Sequence, residues 1–223
     1  MTDDVEFNPG CRLCPRLAAY LDDVRVRNPD YFARPVPAFG DPEARLLIVG
    51  LAPGYHGANR TGRPFTGDYA GILLYQTLHR LELASASVSE SPNDGLRLKG
   101  CRITNAVKCL PPANKPVGQE IRTCNRYLAA ELLALPKNAV VLALGKIAHD
   151  AVVRALGFRL SAWRFGHGEI HELPDGPPLV DSYHCSRYNT QTRRLTAAMF
   201  ETVVARAAAM AGVGSVSPGI SEP

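Results

Sequence analysis

The residues with the chemistry to build a site begin at Leu46. The stretch LLIVGLAPGYHGANRTGRPFTGD, Leu46 to Asp68, opens as a short apolar run. At Gly50 it turns into a long loop carrying Pro53, Gly54, Gly57, Gly62 and Gly67, with Asn59, Arg60, Arg63, Phe65 and Asp68 among them. A buried strand that runs into a glycine-rich polar loop is where open α/β sheets bind ligands, outside the carboxyl ends of their strands. The loop is therefore read as the floor of a site, ending at the carboxylate of Asp68 just before a helical pattern begins.

A second group is made of thiols. Cys11 and Cys14 form a CxxC pair, Cys109 follows a predicted strand, and Cys124 falls in the next helix. In a reducing compartment such a set points to a four-thiolate metal site, and zinc and an iron–sulfur cluster both fit it. The wide gap between Cys14 and Cys109 is unlike a compact zinc ribbon. Cys101, in a strand, and Cys185, in a late loop, are the expected bystanders.

The elements that must position these groups follow from periodicity. Helical spacing predicts helices over residues 11–26, 70–83, 119–135, 146–156 and 195–210, the last with Leu195, Met199, Phe200, Val203 and Val204 inward. Apolar runs predict four strands, at 46–50, 101–107, 139–144 and 179–183, the third almost wholly apolar as in a sheet covered on both faces. The alternation gives an α/β fold: a single-domain, doubly wound, mainly parallel four-stranded sheet with helices on both faces. Polar residues gather after three of the strands, so one edge of the sheet should carry one site. The domain is expected over residues 1–212, with a disordered tail at 213–223.

Composition bounds the class. The 223 residues carry a net charge of +4, compatible with a polyanion partner without identifying one. The acidic start, MTDDVEFNPG, has no signal-peptide core, and no window approaches about 18 consecutive apolar residues. A cytoplasmic protein with no membrane association is expected.

Four segments taken in order resemble one family over nearly the whole length of the chain. They are Gly50-Leu51-Ala52-Pro53-Gly54, the run TGRPFTG from Thr61 to Gly67, the run ITNAVKC from Ile103 to Cys109, and His184-Cys185-Ser186; the cysteine spacing matches as well. They resemble the uracil-DNA glycosylase superfamily, and within it the iron–sulfur branches, families 4 and 5. Family 4 carries a glutamate where this chain has Leu51. Leucine there, with the segment His56–Thr61 leading to Asp68, looks like family 5. Two positions depart from that pattern: Gly54 replaces the usual alanine, and Cys185 replaces the proline of a usual His-Pro-Ser.

The resemblance implies a monofunctional DNA glycosylase of base excision repair, acting as a monomer on DNA that contains uracil or a related deaminated base. It implies a [4Fe–4S] cluster on Cys11, Cys14, Cys109 and Cys124. A base must leave the duplex to be attacked. The motif residues Gly50, Leu51, Ala52, Pro53 and Gly54 are expected around it, with Phe65 as its stacking surface and Asn105 as the amide that reads uracil O4 and N3–H. Asn114 is the competing asparagine. His184, as neutral imidazole, is expected to stabilise the leaving anion at O2. Asp68 is expected to serve the sugar cation or the attacking water, and it also fits a helix N-cap. Arg60, Arg63, Ser186 and Arg187 are expected at the DNA, with Lys108 a further phosphate contact. Gly145-Lys146 could meet a phosphate at a helix N-terminus. His79 and His149 are expected to be structural, and His167 and His171 to flank Gly168 in an exposed turn. No lysine is placed for Schiff-base chemistry. Two rivals stand: a uracil-DNA binder or covalent trap without turnover, and a zinc-dependent DNA-binding module.

Overall fold

The computed structural model describes residues 6–214. Its centre is a run of four parallel strands: β2 (Leu46–Gly50), β3 (Cys101–Asn105), β4 (Val140–Leu144) and β6 (Leu179–Ser182). Side chains alternate across this sheet. Leu46 and Ile48 pack with Leu74, Leu78, Phe200 and Val204, whereas Leu47 and Val49 pack with Leu128, Leu132, Ala148 and Val152. The first set brings in α3 (Tyr69–Arg80) and α7 (Ala197–Met210); the second brings in α4 (Gly118–Leu133) and α5 (Lys146–Ala155). Every residue of β2 and β4 is buried, which explains why those strands read as unbroken apolar runs.

The expected four-stranded sheet is corrected to six. Two-residue strands, β1 (Phe39–Gly40) and β5 (Ile170–His171), add antiparallel edges in the order β1-β3-β2-β4-β6-β5. Two residues cannot display an alternation, so nothing in the sequence marked them. Met199 was expected inward, but it faces solvent. The expected tail is corrected at its start. Val213 is buried, packing against Gly100 at the amino end of β3, and Gly214 lies against Leu81 and Leu83. The rest of that tail lies outside the described residues.

From β2 the chain steps to β3 on one side, then returns past β2 to β4 and continues to β6 on the other side. This reversal opens a crevice between the carboxyl ends of β2 and β4. A third packed cluster flanks the sheet. There α1 (Pro15–Arg27) lays Leu17, Leu21 and Val24 against Val107, Leu110 and Tyr127. Cys14 occupies the N-cap of α1 and Pro15 its first turn, where a missing N–H costs nothing. Among the described residues no helix is long and apolar enough to cross a membrane.

Candidate active site

A cavity of about 870 Å³ opens at the reversal. Leu51, Ala52 and Gly54 line it from the loop after β2, and Phe65 and Asp68 from the end of that loop. Asn105 closes it from β3, Gly145 and Lys146 from the start of α5, and His184, Ser186 and Arg187 from the loop after β6. Gly50 and Pro53 stand behind this lining.

The floor is made by Gly50, Phe65 and Asn105. Gly50 pairs in register with Asn105 across the parallel strands. Phe65 is buried with φ +54°, a conformation that L residues seldom adopt and that packing must hold. The packing is visible at Gly71: a Cβ there would lie 1.9 Å from the Phe65 carbonyl oxygen, so only glycine lets α3 start this close. The Phe65 ring lies nearly parallel to His184, with centroids 5.8 Å apart and planes 26° apart. Asn105 is buried and its Oδ1 has no hydrogen-bond partner. An unmet buried amide oxygen costs about 1–3 kcal/mol unless a ligand or water meets it. The competing Asn114 also lines the cavity, but it is exposed, in a left-handed turn.

The two oxygens of Asp68 face different ways. Oδ1 accepts the Gly71 amide at 2.9 Å and caps α3. Oδ2 faces Gly54 and Gly57, and a Cβ on Gly57 would fall 2.5 Å from it. Burial raises the Asp68 pKa above the ordinary aspartate value, against the pull of the Gly71 and Ala70 amides. Enclosure by protein drives His184 down to about 4, so its ring is neutral at physiological pH. His184 is held from behind: its carbonyl accepts the Asn189 side-chain amide at 2.8 Å, and Cys185, in place of the usual proline, is a fully buried anchor.

The basic residues divide. Arg187 is exposed at the cavity rim, its guanidinium 5.8 Å from the centre of the Tyr69 ring. Ser186 lines the cavity and caps α6 (Arg187–Gln191). Arg60 is exposed on α2 (Ala58–Thr61), its Nε donating to the His56 carbonyl. Arg63 is corrected: it is buried, paired with Asp94 and Ser89, and stacked over Phe39, so it has no reach to DNA. Lys108 is corrected likewise, with Nζ buried between Glu131 and Thr104. A basic residue in a polar loop reads as exposed until its acidic partner, far off in sequence, is located. One lysine does line the cavity: Lys146, whose ammonium lies 2.6 Å from Asp150. His171 is not in an exposed turn but in β5, bonded to Asp181. Phe165 and Tyr183 complete the cavity wall; no motif marks either as a site residue.

The four cysteines Cys11, Cys14, Cys109 and Cys124 come together beside α1, unpaired by disulfides, around one small void that Lys108 and Tyr127 also border. The Lys108 amide donates to Cys124 Sγ at 3.2 Å. Burial is the main cause raising Cys109 and Cys124, the latter to about 11, and the neighbouring thiols push both further up. Cys101 and Cys185 lie apart from this group.

Comparison with known proteins agrees with this geometry. The family model described as "Uracil DNA glycosylase superfamily" matches residues 37–208. A "Type-5 uracil-DNA glycosylase" of Thermus thermophilus is 52% identical over 214 residues, covering 94% of this chain and 97% of that protein. One of Mycobacterium tuberculosis is 42% identical over 211 residues, covering 91% and 79%. A "Type-4 uracil-DNA glycosylase" of Archaeoglobus fulgidus is 32% identical over 139 residues, covering 62% of each chain. On its matched span, its identity to these relatives and its cavity at the sheet reversal, the chain belongs to the uracil-DNA glycosylase superfamily.

Proposed function

We propose that the protein is a monofunctional DNA glycosylase of base excision repair, hydrolysing the bond between uracil and deoxyribose. The observation that carries this reading is the buried, partnerless oxygen of Asn105 on a cavity floor made by the edge of Phe65. An amide so placed offers both an acceptor and a donor to one edge of a flipped base, and the aromatic ring supplies about 1–3 kcal/mol of stacking. As the glycosidic bond breaks, negative charge grows on the base and positive charge on the sugar. Neutral His184 donates to the departing uracil, and the free Oδ2 of Asp68 faces the sugar or orients the attacking water. Arg187, and Arg60 further out, contact phosphates. Lys146 is largely exposed beside Asp150, and strand cleavage is not part of this reading.

The pocket supports a wider range of bases. Gly54 places no side chain where the classical enzymes carry a methyl-excluding tyrosine, and the Tyr55 hydroxyl is tied to Asn28 at 2.9 Å. Hypoxanthine, ethenocytosine and mispaired thymine are the expected additional substrates.

The four thiols fit a [4Fe–4S] cluster better than zinc. Tetrahedral zinc with Zn–S bonds near 2.3 Å draws its sulfurs to about 3.8 Å of one another. Among the described residues the group of ligand atoms that gathers within 4.8 Å is His149, His171 and Asp181, and no three of the cysteines come so close. When bound, the cluster supplies a covalent cross-brace between the start of α1, the loop after β3 and α4.

The test is direct. Duplexes containing uracil, hypoxanthine or mispaired thymine are incubated with the protein, and abasic sites are then cleaved with alkali. Base release with turnover is expected; a stoichiometric adduct on a denaturing gel, or no release, overturns the reading.

A further inference from the structure

Asp181 is wholly buried in β6, two residues before Tyr183, and its carboxylate accepts from three directions. His149 Nδ1 reaches it from α5 at 2.9 Å, His171 Nε2 from β5 at 2.9 Å, and the Gly166 amide at 3.3 Å. His149 is also wholly buried, and its Nε2 lies 3.0 Å from the Trp163 carbonyl oxygen. Both partners of this imidazole, a carboxylate and a carbonyl, can only accept. A neutral ring has one N–H and leaves one of them unmet; an imidazolium donates to both. A metal ion is the competing occupant, since the three side chains converge. Closed structural metal sites take four protein ligands, however, and here the nitrogens already contact the carboxylate at hydrogen-bond distance.

The group fastens one segment to the sheet. Gly168 donates to the Asp181 carbonyl, and the Asp181 amide to Glu169. The His167 ring lies parallel to Tyr183, 4.8 Å away, and its Nδ1 accepts the Tyr183 amide. Within this segment the Phe165 ring stands edge-on to His149 at 5.8 Å and beside Tyr183 at 6.0 Å, facing the cavity.

We infer that His149 is a positioning residue: as an imidazolium it clamps Trp163–His171 onto Asp181, and so fixes Phe165 and Tyr183 as the wall against which the flipped nucleotide seats. The inference rests on the glycosylase reading for the identity of that nucleotide. Burial opposes the charge on His149, but the hydrogen bond and field of Asp181, the Trp163 carbonyl and Asp150 outweigh it, so the proton is held above the ordinary imidazole range. His171, 5.1 Å away ring to ring, shares the same carboxylate. With both ring nitrogens facing acceptors, the clamp is closed while His149 keeps its proton and is released as pH rises.

The test uses nitrogen-15 spectra of the histidine rings in the full chain, read beside steady-state excision of uracil from a duplex. At neutral pH both His149 nitrogens should be protonated. On alkaline titration the KM should rise on the order of tenfold in step with the loss of that proton, with kcat changing less. His149→Gln should show the high-pH KM throughout. Phe165→Leu should raise KM at every pH while the His149 titration persists. A neutral His149 at neutral pH, or a KM indifferent to its titration, overturns the clamp. If His149 is protonated but no version excises uracil, the glycosylase reading fails and the protonated clamp stands.

Discussion

The amide oxygen of Asn105 occupies the space that a methyl group on Gly50 would need. A Cβ built on Gly50 would lie 2.5 Å from that oxygen and 2.6 Å from the Phe65 ring. The first glycine of the motif is thus a hole into which both side chains settle.

Gly50→Ala must push the amide and the ring off the floor together. The expected stability cost is about 1–3 kcal/mol, and uracil excision should fall on the order of a hundredfold. Thermal melting and single-turnover excision separate the two effects. Parental excision by this variant would dismiss both side chains as the base-holding pair.

Asp68→Asn separates the two oxygens of Asp68, because asparagine caps a helix as well as aspartate does. Excision should drop by about 10²–10⁴. The folded-state pKa of Asp68 is raised, so its penalty to the fold grows as pH rises through that value. The asparagine variant should therefore melt no lower than the parent at neutral pH. His184 has its pKa lowered to about 4, so protonation of the unfolded chain near 6.5 draws stability down as pH falls between those values. Melting in mildly acidic buffers checks the sign.

Salt should weaken DNA binding steeply, and Arg187→Ala should reduce the slope of log affinity against log salt by about 0.9. Arg63→Gln should leave that slope unchanged and instead destabilise the fold by about 1–3 kcal/mol, through the lost bonds of a buried guanidinium to Asp94, Ser89 and Thr66. The reverse pattern would return Arg63 to the DNA.

Cys109→Ser should abolish the broad visible absorbance of the as-purified protein and lower its stability by about 4 kcal/mol. Cys101→Ser, at a thiol that donates to the Leu83 carbonyl in a different core cluster from the four cysteines, should keep the colour. A colourless parent carrying zinc would overturn the cluster.

Much of this was legible in the sequence because it lies in local signals. The apolar runs of β2 and β4 mark a two-sided sheet, and Gly50 to Asp68 marks a loop at its edge. What stayed hidden depends on distant partners. Arg63 and Lys108 read as surface cations because Asp94 and Glu131 lie 31 and 23 residues away. His171 read as a turn residue because its pairing with Asp181 depends on a two-residue strand. Phe165 carries no local mark at all: it becomes a wall residue only when His149 and Asp181 fasten its segment.

The end of the described chain has a practical consequence. Val213 and Gly214 pack beside Gly100 and Leu83, at the amino ends of the parallel strands, and the cavity lies at the opposite ends. Tethered to a bead or a sensor chip through a side chain on this face, the molecule would hold its cavity toward the solution, so a captured oligonucleotide need not compete with the tether.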